Sequence, residues 1–202
     1  MIHIIDYGAG NLGSIVNMVN FIGGKCELTN DPDVIINATK LILPGVGHFD
    51  HGMQKLYESG LIPILEKKVN VEKIPILGIC LGAQMMCNNS EEGEIQGLGW
   101  FDATVKKFNS EMHNIRIPHM GWNNVEAKKD TQLSTVNSKE QRFYFVHSYY
   151  METTNEDLIM YSTKYGDEFV SGLNNNNIYA CQFHPEKSHK YGIELMKNFL
   201  LL

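Results

Sequence analysis

The first eighty residues alternate short apolar runs with stretches of helical spacing, and this alternation constrains the fold more than any other feature of the chain. IHIIDY (2–7), Cys26 to Thr29, KLILPG (40–45) and IPILGI (74–79) read as strands. Between and after them, Ser14 to Ile22 places Ile15, Met18, Val19 and Ile22 on one helical face and stops at Gly23-Gly24. Gln54 to Asn70 reads as a helix broken at Pro63, and Leu81 to Asn88 as a further helix. Strand, helix, strand at this spacing implies a mostly parallel sheet covered by helices on both faces.

The second half has another character. TVKKF (104–108), NNVEA (123–127), FYFVHSYYM (143–151), LIMYSTKY (158–165), EFVSGL (168–173) and NIYACQFH (177–184) are short and rich in β-branched and aromatic residues. They predict antiparallel strands that close or flank the sheet. KKDTQLSTVNSKEQ (128–141) and NNNN (174–177) read as surface loops, and Gly192 to Leu202 as a closing helix. With no internal repeat and no linker, residues 1–202 are expected to form one α/β domain.

Charge and cysteine usage narrow the class. The net charge of −6 argues against a nucleic-acid partner. No run reaches the roughly 18 apolar residues of a membrane helix, and MIHIIDYGAG lacks the basic segment and cleavage pattern of a signal peptide. The cysteines at 26, 80, 87 and 181 form no CxxC pair. A reducing cytoplasm, where a thiol stays free, is the expected setting.

Two glycine-rich turns compete as functional sites. Gly8-Ala9-Gly10-Asn11-Leu12-Gly13 follows a strand and opens a helix, as a dinucleotide fingerprint does. The acidic partner such a site needs is only loosely available as Glu27 or Asp31, and Asp6 would repel a pyrophosphate. The other reading is a tight strand-to-helix turn with Asn11 exposed at its tip. The second turn, Gly78-Ile79-Cys80-Leu81-Gly82, is the cysteine counterpart of the G-x-S-x-G nucleophile elbow. A nucleophile on so sharp a turn needs neighbours without a Cβ. Its sulfur would sit at a helix amino terminus, where exposed N–H groups favour thiolate, and the Leu81 N–H could meet an oxyanion. The alternative is a buried core cysteine.

A cysteine nucleophile needs a base, and the base needs an orienting group. His184 ends the strand IYACQF and is followed by Pro185 and Glu186. On an extended backbone residues i and i+2 face the same side, so Glu186 could hold one ring nitrogen while the other faces a thiol. A His-Pro turn with a solvated glutamate is the alternative. His147 in FVHSY is the rival base, without a carboxylate at i+2. His3 reads as a strand residue, and His51, His113 and His189 as surface residues. His48 and His51 stand at i, i+3 but lack further ligands at clear spacing, so no metal site is expected. Pro44-Gly45-Val46-Gly47 ends the strand KLIL, and its Val46 or Gly47 N–H could serve as a second oxyanion donor.

GICLGAQ, QFHPEKS and LPGVGHF together resemble the class I, triad-type glutamine amidotransferases, whose fold is flavodoxin-like. IDYGAGNLGS, PHMGWN and FYFVHSYY narrow the resemblance, over almost the whole chain, to the glutaminase subunits of imidazole glycerol phosphate synthases. The resemblance implies a Cys80, His184, Glu186 triad that hydrolyses the amide of glutamine. It implies Val46 and Leu81 as oxyanion donors, the former after rearrangement of the PGVG loop. Gln84, His147, Ser148 and Tyr149 match substrate-holding positions. Asn11, Trp122, Tyr144 and Lys187 match positions facing a partner, a (β/α)8-barrel cyclase that receives the ammonia, and the YGAGN turn then binds no dinucleotide. No metal and no organic cofactor is implied.

One segment departs from that pattern. After SEEGEIQ the chain reads GLGWFDATVKKF. This resembles paralogues that supply ammonia for amidine formation on surface-polysaccharide or nonulosonic-acid sugars. Histidine biosynthesis is the preferred expectation and the sugar paralogue the alternative.

Overall fold

The computed structural model describes residues 1–109, 115–136 and 140–202. In chain order the first half comprises β1 (Ile2–Ile5), α1 (Leu12–Phe21), β2 (Cys26–Thr29), α2 (Pro32–Ile35), β3 (Leu41–Leu43), α3 (Phe49–Glu58), α4 (Ile62–Glu66), β4 (Ile76–Ile79) and α5 (Leu81–Met85). There follow β5 (Asn89–Ser90), β6 (Thr104–Lys107), β7 (His119–Ala127), β8 (Gln141–His147) and β9 (Tyr149–Glu152). The chain ends with β10 (Ile159–Tyr165), β11 (Asp167–Asn175), β12 (Ile178–Cys181) and α6 (His189–Leu201).

The main sheet runs β2-β1-β3-β4-β12-β11-β10-β7-β8. From β2 to β12 every pairing is parallel, and from β12 onward every pairing is antiparallel. A branch of β5, β6 and β9 joins through β11. The α/β class with a parallel sheet and antiparallel second half is therefore as the sequence patterns predict. The last parallel strand, β12, comes from the far end of the chain and lies beside β4.

Alternation within the parallel strands explains the two cores. Ile5, Leu41, Leu43, Ile76 and Ala180 face one side, under α3, α4 and α5. Ile4, Ile42, Leu77, Tyr179 and Cys181 face the other, under α1 and α6. Strands β1, β3, β4 and β12 are buried throughout, as expected of a sheet covered on both faces. Among the described residues no helix is long and apolar enough to cross a membrane.

Several boundaries differ from the sequence patterns, each for a local reason. The helix expected from Gln54 begins at Phe49, because His48 caps it by accepting the Asp50 N–H at 3.2 Å. The break falls not at Pro63 but at residues 59–61; Pro63 lies in the first turn of α4, where its missing N–H costs nothing. FYFVHSYYM is two strands parted at Ser148. NNNN is not wholly a surface loop: Asn174 and Asn175 finish β11, and the buried Asn174 amide bonds the carbonyls of Asn176 and Ile178. In the segment expected as a loop at 128–141, residues 137–139 lie outside the described residues, as does His113.

Candidate active site

The strand β4 delivers Cys80 to the carboxyl end of the sheet, where the chain reverses into α5. Cys80 has φ 54° and ψ −111°, a conformation that costs a non-glycine residue free energy and persists only where its surroundings impose it. Here the Cys80 N–H donates to the Cys181 carbonyl of β12 at 2.8 Å, and the Cys80 carbonyl accepts from Gln84 N–H at 3.1 Å. The flanking glycines make room. A Cβ on Gly82 would lie 1.9 Å from the Leu43 carbonyl oxygen, and one on Gly78 would lie 2.8 Å from Ala83 Cα. The turn is thus tied at once to β3, to β12 and to its own helix.

His184 arrives from β12, two residues beyond Gln182. Its N–H donates to the Tyr144 carbonyl at 2.9 Å, and its carbonyl accepts the Ser188 hydroxyl at 2.6 Å. The same hydroxyl accepts from Tyr144 N–H at 3.0 Å, which fastens the whole turn to β8. His184 Nδ1 lies 2.8 Å from Glu186 Oε1, with both side chains only 2% exposed. A carboxylate only accepts, so Nδ1 carries the proton. The path to this pairing corrects the sequence expectation: residues 185–187 are a 3-10 turn rather than extended strand, and the turn folds the carboxylate back onto the ring. His184 Nε2 is buried with no hydrogen-bond partner among the described residues. Burial pulls the ring's pKa down, but the Cys80 sulfur beside it and Glu186 outweigh burial and raise it to about 10. The ring therefore holds its second proton at neutral pH, with the Cys80 sulfur on one side and the Glu186 carboxyl on the other.

The sulfur has two further neighbours that sequence reasoning did not assign. Gln182 Nε2 lies 3.9 Å from Cys80 Sγ. The Tyr7 hydroxyl, which donates to the Pro44 carbonyl at 2.7 Å, has its pKa raised by burial and by the nearby Cys80. Gln182 Oε1 accepts from Gln84 Nε2 at 3.0 Å, and Gln84 Nε2 also donates to the Tyr149 carbonyl at 3.0 Å. Gln84 is thus braced between β12 and β9.

These groups wall a cavity of about 340 Å³. Cys80, Leu81, Gln84, His184, Val46, Gly47, His147, Ser148 and Tyr149 all line it, so the structure brings the predicted nucleophile, base, loop and pocket residues to one place. Glu92 also lines it, steadied by Phe49 N–H on Oε2 at 2.8 Å. Within SEEGE nothing in the sequence distinguishes that carboxylate from its solvated neighbours. His147, the rival base, has both ring nitrogens bonded away from the sulfur, to Tyr149 O and to His119. The Leu81 N–H, expected to meet an oxyanion, donates in the resting arrangement to the Gly45 carbonyl at 3.3 Å.

The residues expected to face a partner lie outside the cavity. Trp122 is 40% exposed, stacks on His189 at 5.3 Å and meets Tyr144 edge-on at 6.4 Å. Lys187 Nζ sits 5.8 Å from the centre of the Tyr144 ring. Asn11 is exposed at the start of α1, which packs against the 185–187 turn. In the fingerprint-like turn Asp6 accepts the Gly8 N–H at 3.1 Å; of the two acidic residues considered for a ribose, Asp31 caps α2 through Asp33 N–H at 2.8 Å and Glu27 lies 3.9 Å from His3 Nε2. His51 and His189 are exposed and His3 is buried on β1. Among the described residues no three His, Cys, Asp or Glu side chains cluster as a metal site.

The aromatic pair of the departing segment GLGWF is core. Trp100 and Phe101 are buried, and both their N–H groups donate to the Met86 carbonyl beneath the elbow helix. The Trp100 indole donates to Glu66 on α4. Neither aromatic lines the cavity.

Comparison with known proteins gives the family. The family model "Glutamine amidotransferase class-I" matches residues 3–202. The chain is 54% identical over 200 residues to "Imidazole glycerol phosphate synthase subunit HisH 2" of Methanococcus maripaludis, covering 99% of this chain and 98% of that protein. It is 45% identical over 207 residues to subunit HisH 1 of the same organism, with 100% of each chain covered. A solved structure described as a glutamine amidotransferase superposes with a TM-score of 0.77 at 17% identity, covering 99% of this chain and 97% of that one, which speaks to the fold. This chain belongs to the class-I glutamine amidotransferases, in the family of imidazole glycerol phosphate synthase HisH subunits.

Proposed function

We propose that residues 1–202 act as one glutaminase domain in which Cys80, His184 and Glu186 hydrolyse glutamine and release ammonia to a partner. The observation that carries this is the strained Cys80 beside a buried imidazolium that Glu186 orients at 2.8 Å, at the wall of a cavity of about 340 Å³. The sulfur attacks the carboxamide carbon, and the C–S bond forms as the carbonyl π electrons move to oxygen. Return of those electrons expels the amine, which takes the proton held at His184 Nε2 and leaves as ammonia. Water, deprotonated by the same nitrogen, then attacks the thioester carbon, and glutamate departs as the sulfur is regenerated. Gln84, His147, Ser148 and Tyr149 hold the amino-acid end of the substrate. Glu92 offers a carboxylate for its ammonium.

Charge on the carbonyl oxygen needs donors. In the resting arrangement Gly45 O occupies the Leu81 N–H, so a rotation of the Gly45–Val46 peptide would free Leu81 and turn the Val46 N–H inward in one movement. This supports a glutaminase that fires only when its partner is loaded, which keeps ammonia from being lost to water.

The partner in this reading is a (β/α)8-barrel cyclase docked on Asn11, Trp122, Tyr144 and Lys187. The destination of the ammonia is then imidazole glycerol phosphate, with an aminoimidazole carboxamide ribotide as co-product, in histidine biosynthesis in the cytoplasm. A specific observation favours a second reading: identity to the HisH 2 protein of M. maripaludis exceeds that to its HisH 1, 54% against 45%. A second-copy subunit fits that difference, and the GLGWFDATVKKF segment adds the resemblance to paralogues that feed an amidine-forming step on a sugar. Complementation decides between them. Rescue of a histidine auxotroph lacking its own synthase by this gene with its cognate barrel supports the histidine reading. Failure to rescue, with glutaminase activity intact, supports the sugar reading.

A further inference from the structure

The PHMGWN motif serves two surfaces. Met120 and Trp122 face outward from β7, at 62% and 40% exposure, whereas His119 is 2% exposed and points inward. Its ring is clamped between Phe145, with centroids 4.7 Å apart, and Tyr165, at 4.0 Å, both near-parallel. His119 Nδ1 lies 2.9 Å from His147 Nε2, and His147 Nδ1 lies 2.8 Å from the Tyr149 carbonyl oxygen.

The protons in this chain have one arrangement. A carbonyl only accepts, so His147 Nδ1 carries hydrogen. Burial lowers the pKa of His147 to about 3 and of His119 to about 4, so both rings are neutral at pH 7. His147 Nε2 must then accept, and His119 Nδ1 must donate. His119 Nε2 is left as an acceptor, and Asn123 Nδ2 faces it at 3.2 Å. The second Asn123 amide hydrogen goes to the Lys164 carbonyl at 2.9 Å, and Asn123 Oδ1 accepts from Asn124 N–H at 2.8 Å. Each polar side-chain hydrogen of Asn123, His119 and His147 in this relay has a single partner.

We infer that His119, oriented by Asn123, is a positioning residue for glutamine: it fixes the Nδ1–H tautomer of His147 and thereby the Ser148–Tyr149 wall of the pocket. The inference rests on the proposed glutamine site and deepens it. The wall is held by backbone carbonyls. Tyr149 O takes one hydrogen from His147 and one from Gln84, and Ser148 O takes the Phe108 N–H at 3.1 Å. Without the His119 donor, His147 can move its proton to Nε2 and release Tyr149 O. Because the triad lies elsewhere, the cost falls on substrate binding and leaves the chemical step intact.

The test uses the complex with its cognate barrel. Steady-state glutamine hydrolysis is measured for wild type, His119→Phe, which keeps the ring stack without a donor, and His119→Asn, which keeps a donor near the Nδ1 position. The expected result is a KM for glutamine raised about tenfold in the Phe variant with kcat within twofold, and partial recovery in the Asn variant. Long-range ¹⁵N spectra of histidine-labelled wild type should show His147 as the Nδ1–H tautomer, and that signature should be lost in His119→Phe. An unchanged KM, or a fall in kcat alone, overturns the inference. So does an Nε2–H tautomer at His147 in wild type, which needs no variant to fold. Absence of saturable glutamine hydrolysis in wild type overturns the glutaminase reading instead, and leaves the tautomer result to stand separately.

Discussion

The backbone N–H of Leu81 donates to the carbonyl oxygen of Gly45 at 3.3 Å, so the amide proposed for the oxyanion is held by the loop proposed to supply the second donor. One missing oxyanion donor costs roughly 10² to 10³ in kcat. The chain without its barrel is therefore expected to release glutamate at least about a hundredfold more slowly than the complex with its nucleotide ligand bound. A coupled glutamate assay measures both. Equal rates would mean that the oxyanion donors form without the partner.

The His184–Glu186 pair makes stability depend on pH in a defined direction. His184 is raised from an ordinary 6.5 to about 10, so the folded chain binds that proton more tightly than the unfolded chain. The stabilisation is complete below about pH 6.5 and drains away as pH rises toward about 10. Glu186→Gln removes one of the charges that hold the proton. The melting-temperature gap between wild type and this variant should therefore narrow from pH 6.5 to pH 10. A gap that widens over that range would show that the pair is not an ionic one. The variant should also lose about 10² to 10⁴ in kcat, as when an orienting carboxylate is neutralised.

Gly82→Ala places a Cβ 1.9 Å from a backbone oxygen of β3, where no side chain can yield. The elbow must shift, at a cost of about 3 kcal/mol, and activity should be lost along with stability. Gly13→Ala is the contrasting case. It is exposed in α1 with no atom within 4 Å of the new Cβ, and should stabilise the chain by about 0.5 kcal/mol. Denaturant melts of both variants test whether crowding at the elbow, rather than glycine loss as such, sets the cost.

Much of this was legible in the residues. Strict apolar runs marked β1, β3 and β4 because those strands are buried on both faces, whereas the parallel edge strand β2 (CELT) is mostly uncovered. The two elbow glycines marked Cys80 because a Cβ on Gly82 would meet β3 and one on Gly78 would meet α5. Glu186 was found by spacing, although the backbone reaches its pairing through a 3-10 turn. Gln182, Glu92 and His119 were not assigned because their roles depend on strand order. β12 must lie beside β4 before Gln182 can touch Cys80, and β7 must pair with β8 before His119 can meet His147. The Leu81–Gly45 hydrogen bond was likewise out of reach, since it depends on the rotation of one peptide.

Trp122 projects from β7 beside Tyr144 and Lys187, which gives the proposed docking face an aromatic centre. Trp122→Ala should weaken binding to the barrel by about 2 kcal/mol, roughly thirtyfold in Kd, with no loss of thermal stability. Titration calorimetry measures it. Unchanged affinity would place the barrel on another face.

The central claim is that Cys80 is a nucleophile directed at glutamine. The most direct measurement is peptide mapping by mass spectrometry after exposure to a diazo-ketone analogue of glutamine, with and without the loaded barrel. Cys87 and Cys181 are fully buried, and burial pushes their thiols far up, so both should stay unmodified. The account predicts a single adduct on Cys80, formed faster with the loaded partner and absent in Cys80→Ala. No adduct on Cys80 under either condition, or preferential modification of another cysteine, would contradict it.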